Sequence, residues 1–316
     1  MKHHILVATD ERLSPALLEA LRAQGAEAAF AEDGWQETAF PPEAVDAVIG
    51  RQILDRWTAE AFPNLRFVQV MSAGLDNVPV DDLRRRGILL ANGRGLLSPY
   101  IAEWILAQVL DSTRCLDYFK ARQRAHEWVG FRVEAPVITL LDKTACIVGP
   151  GSIGRAAAHR LKAFGMHVIA VNRSPVRDCP DIDETYPLDR MEEALARSLV
   201  VAVTIPLTPE TTRLIGPRAL DAMGDDAIFL NCSRGAVVDE AALIERLRRG
   251  KFRRAALDVF EREPLPADSP LWDFPNVAVS PHESPRADGQ EARRERFALE
   301  NLCRYLRGEI PENLIR

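Results

Sequence analysis

Residues 144–174 read TACIVGPGSIGRAAAHRLKAFGMHVIAVNRS, and the change of period along them decides the fold. Thr144 to Val148 is a short apolar run with β-branched residues, as a buried strand requires, and Ile153 to Phe164 switches to helical spacing rich in Ala and Leu. Gly149, Gly151 and Gly154 lie between them. At this spacing the first glycine permits a tight turn, the second lets a pyrophosphate approach the backbone, and the third lets the helix pack close to the strand. The N–H groups of Ser152 and Ile153 at the helix start would face the phosphate, where the dipole favours negative charge. His167 to Val171 reads as a second strand and completes the strand–helix–strand context. A glycine-rich turn in an unrelated α/β domain is the plainer reading, and the flanking elements favour half of a dinucleotide site.

At the end of the second strand, where an Asp or Glu binds the ribose of NAD, the chain has Asn172-Arg173-Ser174. A carboxylate there would repel a 2′-phosphate, whereas an Arg can hold one through a forked, charge-assisted pair and Asn or Ser can add neutral hydrogen bonds. NADP(H) is therefore favoured, with NAD(H) as the alternative and a solvated Arg173 as the plain reading.

The chain has 316 residues, enough for two domains with full cores. A hydrophobic content of 47% and a charged content of 27% are ordinary for a soluble globular protein, and the net charge of −6 gives no general attraction to nucleic acid or acidic membranes. Basic clusters such as Arg84-Arg85-Arg86 and Arg293-Arg294 read as solvated helix faces. Cys115, Cys146, Cys179, Cys232 and Cys303 are odd in number and never form CxxC, so neither a disulfide framework nor a metal site is indicated. That pattern suits a reducing cytoplasm, and no segment reads as a signal peptide or membrane span.

Working outward, residues up to about Ser98 give strand candidates at His4 to Thr9, Asp46 to Gly50, Arg66 to Ser72 and Gly87 to Ala91. Ser14-Pro15 and Ser98-Pro99 both read as helix starts, with Ser as cap and Pro in the first turn. From Pro99 one long amphipathic helix is expected to run to about His126. A second series places strands at Thr144 to Gly149, His167 to Val171, Leu199 to Thr204, Ala227 to Asn231, Ala255 to Asp258 and Val277 to Ser280. A closing helix is expected from Arg286 to Arg307, ending at Gly308. The predicted fold class is α/β, with two Rossmann-like or flavodoxin-like domains of doubly wound parallel sheet and a cleft between them.

Ligands of such sheets bind beyond the carboxyl ends of strands. Three strand ends there carry reactive side chains: Arg234 after one strand, Glu263 after the next, and His282 after the third. This set suits reduction of a 2-oxo acid. Arg234 would hold the carboxylate and polarise the carbonyl, His282 would donate the proton, and Glu263 would hold the imidazole and favour its charged form. Each residue alone reads as a loop residue; their joint placement favours the chemistry.

On these and further segments the chain resembles the D-isomer-specific 2-hydroxyacid dehydrogenase family over almost its whole length. Ser72-Ala73-Gly74-Leu75-Asp76-Asn77 is similar to the turn whose amides meet the substrate carboxylate, which implies Ala73, Gly74 and Leu75, with Arg234 and His282, as substrate-binding residues. Pro99 to Glu103 resembles the start of the interdomain helix, and Ile205-Pro206-Leu207-Thr208-Pro209-Glu210-Thr211 the cofactor-side loop, where Ile205, Pro206 and Thr211 are implied contacts. Cys232-Ser233-Arg234-Gly235, Leu257-Asp258-Val259-Phe260 with Glu263-Pro264, and Pro281-His282 match the segments of the catalytic Arg, Glu and His. Cys232 and Ser233 are implied on the cofactor side, and Asp258 opposite the nicotinamide carboxamide.

The resemblance further implies a substrate-binding domain of residues 1–98 plus 285–316 with a dinucleotide-binding domain of residues 99–284 inserted, a cleft that closes over the substrate, and a homodimer joined through the cofactor domains and the long helix. The Asn172-Arg173-Ser174 departure points to NADPH-preferring glyoxylate and hydroxypyruvate reductases. The second departure, Glu283-Ser284-Pro285 after His282, puts a carboxylate near the acid, and a solvent-facing Glu283 is favoured. Arg51, Leu75, Arg94, Leu96 and Tyr100 are candidates for the pocket wall. Chain length disfavours a formate dehydrogenase or a regulated phosphoglycerate dehydrogenase. The runner-up is an NADH-dependent D-lactate-type dehydrogenase; a dinucleotide-sensing corepressor is a third reading, against which the intact Arg, Glu and His count.

Overall fold

Short runs of Val, Ile, Leu and Ala set both sheets, because strands covered by helices on two faces need apolar side chains throughout. The computed structural model describes residues 3–8, 15–31, 40–50, 61–75, 78–129 and 137–315. The chain divides into two compact units, Met1–Leu97 with Ala287–Arg316, and Ser98–Arg286.

In the first unit, strands β1 (His4–Val7), β2 (Glu27–Phe30), β3 (Ala47–Ile49), β4 (Phe67–Gln69) and β5 (Leu89–Ala91) form a parallel sheet of order β2-β1-β3-β4-β5. Helix α1 (Pro15–Ala23) packs Leu17, Leu18 and Leu21 on one face together with Ala298 and Leu302 of the closing helix. On the other face Leu83, from helix α2 (Val80–Arg85), joins Phe62, Val68 and Val70. Arg84 and Arg85 pair with Asp81 and Asp82 at 3.0 and 3.1 Å on the exposed side of α2, as a solvated face would. Polar groups in this core are answered: the fully buried Gln69 accepts from Asn301 Nδ2 at 2.7 Å, and Asn301 Oδ1 accepts the Glu312 N–H at 2.8 Å.

The second unit opens with helix α3 (Ser98–Arg114) and helix α4 (Leu116–Arg124). The single helix expected from Pro99 to His126 is therefore corrected to two, broken at Cys115, whose φ is +52°. The break has identifiable causes. The Ser112 carbonyl, which a continuous helix would offer to Leu116, accepts the Arg253 guanidinium at 3.3 Å and the Cys115 N–H at 3.4 Å. Arg254 then clamps both sides of the break, 2.6 Å from Asp111 and 2.8 Å from Asp117. The Arg254 hydrogen bond draws the Asp117 carboxyl below its usual range, while burial lifts Asp111 above it.

Strands β6 (Thr144–Val148), β7 (His167–Val171), β8 (Glu184–Tyr186), β9 (Val200–Val203), β10 (Ile228–Asn231), β11 (Arg254–Leu257) and β12 (Val277–Val279) follow, all parallel, in the order β12-β11-β10-β9-β6-β7-β8. Helices α5 (Ser152–Ala163), α6 (Met191–Ala196), α7 (Pro217–Ala222) and α8 (Glu240–Arg248) lie between them, and α9 (Gln290–Leu306) closes the chain in the first unit. Val200 to Val203 have no exposed surface, each Val contributing about 1.5–3 kcal/mol by burial.

The expected strands are present, most of them shortened at one or both ends, and two more stand beside them. β2 is Ala-rich, and β8 is a half-buried Glu-Thr-Tyr edge strand, so neither shows an apolar run. The closing helix begins at Gln290 rather than Arg286, because Gly289 takes a left-handed conformation (φ +68°) just before it. Ser14 of the first helix cap and Thr9 of the first strand lie outside the described residues, as do Arg51, Asp76 and Asn77. Among the described residues no helix is long and apolar enough to cross a membrane.

Candidate active site

The glycine turn after β6 has three distinct physical requirements. Gly149 is left-handed (φ +86°), and a Cβ on it would stand 2.6 Å from the Ile205 backbone; one on Gly154 would stand 2.7 Å from Ile147 Cγ2. A Cβ on Gly151 would meet nothing within 4 Å. The turn thus needs its first and third glycines for packing, and keeps open space over the second at the N-terminus of α5, the cradle a pyrophosphate requires. Ser152 and Ile153 form its rim, half-buried.

Asn172 Nδ2 donates to the Ser174 carbonyl at 2.9 Å, shaping the turn after β7, and Arg173 is exposed there. Arg155, one residue past the glycine turn, pins the following loop through the carbonyls of Arg177 and Asp178, both at 3.2 Å. Opposite, the loop after β9 folds on itself: Thr211 Oγ1 donates to the Pro206 carbonyl and accepts the Thr208 N–H, each at 2.7 Å. The Glu210 carboxyl is held below its usual range first by the Thr208 hydroxyl and, more weakly, by the positive charge of Arg173, which brings the two loops within electrostatic reach. Ile205 and Thr211 are buried and Pro206 is exposed.

After β10, Asn231 organises the next turn. It is 1% exposed; its Oδ1 accepts from Ser233 N at 3.1 Å and Ser233 Oγ at 2.8 Å, while its Nδ2 donates to the Arg234 carbonyl at 3.1 Å. Arg234 Nη1 donates to the Ser233 carbonyl at 2.7 Å. Cys232 is buried with its Sγ 3.7 Å from the Val203 carbonyl, and burial together with the Asp258 charge pushes its thiol pKa up. Burial likewise pushes the Cys146 thiol up to about 12. The side chains of Cys232 and Ser233 therefore serve the scaffold.

The turn after β11 lies directly against this one: a Cβ on Gly235 would be 1.8 Å from the Phe260 carbonyl carbon. Glu240, at the start of α8, accepts the Glu261 N–H at 3.0 Å, and burial lifts its carboxyl above the usual range. Glu263 Oε1 accepts the Phe260 N–H at 3.1 Å, leaving Oε2 for His282 Nδ1 at 2.9 Å. His282 is held by its own backbone, with φ +56° and its N–H on the Asp258 carbonyl at 2.8 Å.

Asp258 is tied into the loop after β12. Its carboxylate, in a residue 1% exposed, accepts from Ser280 Oγ at 2.6 Å, Glu283 N at 2.9 Å and Ser284 N at 3.1 Å, so it ties down the loop that carries His282. These donors make it a fastener of two strand ends. The Glu283 side chain reaches Arg286 Nη1 at 3.4 Å on the surface.

In the first unit, the turn after β4 is held from behind. Gly93 N donates to the Ser72 carbonyl at 2.9 Å, Asn92 Nδ2 to the Ala73 carbonyl at 2.8 Å, and Ser72 Oγ to the Gly74 carbonyl at 2.8 Å. Arg94 Nη2 lies 3.4 Å from Asn313 Oδ1 of the C-terminal tail. Sequence reasoning did not single out Asn92, Asn231, Arg155 or Glu240; a polar residue directly after or at the end of an apolar strand was the available signal for the two asparagines.

Residues 106–284 match the model of the D-isomer specific 2-hydroxyacid dehydrogenase, NAD binding domain. The chain belongs to the D-isomer specific 2-hydroxyacid dehydrogenase family. It is 34% identical over 304 residues to a glyoxylate reductase of Korarchaeum cryptofilum, covering 90% of each chain. It is 37% identical over 256 residues to glyoxylate/hydroxypyruvate reductase B of Pectobacterium carotovorum, covering 80% of this chain and 79% of that one. Among solved structures it superposes with TM-score 0.81 and 30% identity on a D-isomer specific 2-hydroxyacid dehydrogenase from Xanthobacter autotrophicus Py2 in complex with NADPH and MES, covering 100% and 98% of the two chains. As a 2-hydroxyacid dehydrogenase this chain is an oxidoreductase, and the segment matched to the NAD binding domain contains the glycine cradle and the Arg234, Glu263 and His282 loops.

Proposed function

We propose that this dehydrogenase reduces a small 2-oxo acid of the glyoxylate or hydroxypyruvate kind to the D-2-hydroxy acid, with NADPH preferred to NADH. The observation that carries the reading is the His282–Glu263 pair, 2.9 Å apart, on the loops after β12 and β11, the second of which abuts the Arg234 turn, all on the same sheet edge as the glycine cradle. A reduced nicotinamide held at the glycine cradle would supply the hydride for the carbonyl carbon. Arg234 holds the carboxylate and draws electron density towards the carbonyl oxygen. His282 Nε2, the ring nitrogen not held by Glu263, gives its proton to that oxygen as negative charge develops there, so hydride and proton complete one alcohol. Glu263 fixes the ring so that Nε2 is the donating atom.

Gly149, Gly151, Ser152, Ile153 and Gly154 would hold the pyrophosphate. Asn172, Arg173 and Ser174 would hold the adenosine end, with Arg173 on a 2′-phosphate. Ile205, Pro206, Thr211, Cys232 and Ser233 would contribute mainly through backbone and shape, because the side chains of all but Pro206 are buried in the scaffold. The NADPH-bound relative from Xanthobacter and the lack of a carboxylate at 172–174 support the cofactor preference.

A homodimer is part of the same reading. The second unit exposes the apolar side chains of Leu116, Phe119, Leu141 and Phe164, and Trp128 at 98%, which a second copy would have available to cover. The five free cysteines fit a cytoplasmic setting.

The test is oxidation of NADPH and NADH by the purified protein with glyoxylate, hydroxypyruvate and pyruvate as acceptors. Faster NADPH turnover with the first two supports the reading. Preference for NADH and pyruvate replaces it with the lactate-type alternative, and tight cofactor binding without turnover replaces it with a sensor.

A further inference from the structure

We infer that Glu240 is a positioning residue for the Glu263–His282 pair, acting through the N–H of Glu261; the inference rests on the reading that this pair delivers the proton to the substrate. Phe260 is buried in the core of the second unit, and Glu261, Arg262 and Glu263 after it are exposed. Among the described residues, the main chain of these four makes two hydrogen bonds, Phe260 N to Glu263 Oε1 at 3.1 Å and Glu261 N to Glu240 Oε2 at 3.0 Å. The first closes the turn on itself. The second, from α8, holds the turn from outside.

The peptide unit that Glu240 holds is the one wedged against Gly235. A Cβ on that glycine would stand 1.8 Å from the Phe260 carbonyl carbon, 2.0 Å from its oxygen and 2.3 Å from the Glu261 nitrogen. Contact fixes where this planar unit lies, and the hydrogen bond to Glu240 fixes which way it faces. The chain then runs on to Glu263, whose Oε1 is taken by the Phe260 N–H and whose Oε2 meets His282 Nδ1 at 2.9 Å. Release of the Glu261 N–H lets the peptide rotate, and the contact that directs the imidazole loses its aim.

Local chemistry leaves Glu240 available for this task. Asp239 caps α8, its Oδ1 accepting the Ala242 N–H at 2.9 Å, so the cap does not call on the residue after it. Burial works against the charge of Glu240 and lifts its carboxyl above the usual range, so what the side chain supplies to Glu261 is an acceptor atom rather than a charge. Glutamine carries the same acceptor at the same reach, and aspartate is one methylene short. Arg213 Nη2 lies 3.6 Å from Glu261 Oε1 on the surface, where water screens it too strongly to replace that bond.

The experiment compares wild type, Glu240→Ala, Glu240→Asp, Glu240→Gln, Glu263→Ala and the double variant Glu240→Ala/Glu263→Ala. It measures kcat and KM for glyoxylate with NADPH, NADPH affinity by fluorescence titration, and amide exchange at Phe260 and Glu261 by NMR. The expected result is a kcat lowered about tenfold in Glu240→Ala and Glu240→Asp, with glyoxylate KM and NADPH affinity changed less than about twofold and both amides exchanging faster. Glu240→Gln should recover kcat to within about threefold of wild type. In the double variant, loss of Glu240 should lower kcat less than about twofold beyond Glu263→Ala, because a group that acts through Glu263 then has nothing to position. A merely structural role would add its full loss to that of Glu263→Ala and would move NADPH affinity with it. A kcat within about twofold of wild type in folded Glu240→Ala, or an additive loss of about tenfold in the double variant, overturns the inference while Glu263 keeps its role. If Glu240→Ala does not fold, a wild-type kcat in Glu240→Asp overturns it as well. A wild-type kcat in Glu263→Ala removes the pair from the reaction and the inference with it. Faster exchange at Phe260 and Glu261 in Glu240→Ala, with no turnover of glyoxylate, hydroxypyruvate or pyruvate by wild type, retains Glu240 as the holder of Glu263 and removes the proposed reaction instead.

Discussion

The Cβ that Gly235 lacks would lie 1.8 Å from the carbonyl carbon of Phe260, so the turn carrying Arg234 and the turn carrying Glu263 are in backbone contact. Alanine at Gly235 forces the turns apart. Gly235→Ala should cost about 1–3 kcal/mol, which lowers the Tm by several degrees, and should reduce kcat together with stability. Thermal denaturation followed by steady-state kinetics checks this; an unchanged Tm would mean that Phe260 moves aside freely.

His282 and Glu263 should separate by magnitude. His282→Gln removes the proton donor and is expected to lower kcat about 10²–10⁴-fold with cofactor affinity intact. Glu263→Gln keeps the shape and one hydrogen bond, so its loss should be smaller, about 10-fold to 100-fold. Arg234→Ala should damage both KM and kcat, because it is read as binding the ground state and polarising the carbonyl. Near-normal kinetics in all three would remove these residues from the site.

Arg173 is the expected reader of the 2′-phosphate. Arg173→Ala should raise the NADPH KM about tenfold or more and leave the NADH KM nearly unchanged, since only one cofactor carries the group that a guanidinium pairs with. Equal changes for both cofactors would show that Arg173 makes no such contact.

Glu184 gives a pH dependence with a definite sign. The Arg197 guanidinium and then the His167 ring hold its carboxyl down, from 4.5 to about 2. A carboxyl lowered on folding contributes stability that is fully present above its unfolded value and is lost as pH falls from about 4.5 through about 2. Because the side chain is 37% exposed, water screens much of this, and Glu184→Gln should lower the Tm at neutral pH by only about 1–2 °C. The difference from wild type should vanish below pH 2, as acid-unfolding curves would show.

How far the sequence carried the reading varies with the range of the forces involved. The glycine cradle was legible because its requirements are local: a left-handed Gly149 and a close helix approach at Gly154 leave a fixed spacing. The alignment of Arg234, Glu263 and His282 on one sheet edge followed from parallel-strand topology. The break at Cys115 was not legible, because it depends on Arg253 and Arg254, which are distant in sequence though in contact in the fold. Nor was the engagement of Asp258, whose partners are the hydroxyl of Ser280 and the backbone N–H groups of Glu283 and Ser284; backbone donors leave no trace in residue identity. Asn92 was passed over for the same reason, as its acceptor is a main-chain carbonyl.

The depth at which Cys146 and Cys232 sit has a chemical consequence. Alkylating agents and peroxide attack the thiolate, and burial keeps both of these sulfurs protonated at neutral pH. Cys232 stands at the edge of the candidate cofactor site yet offers no nucleophile to an oxidant. A thiol-directed poison of this protein would therefore have to enter elsewhere, at the partly exposed Cys179 before Cys303, whose thiol burial also pushes up.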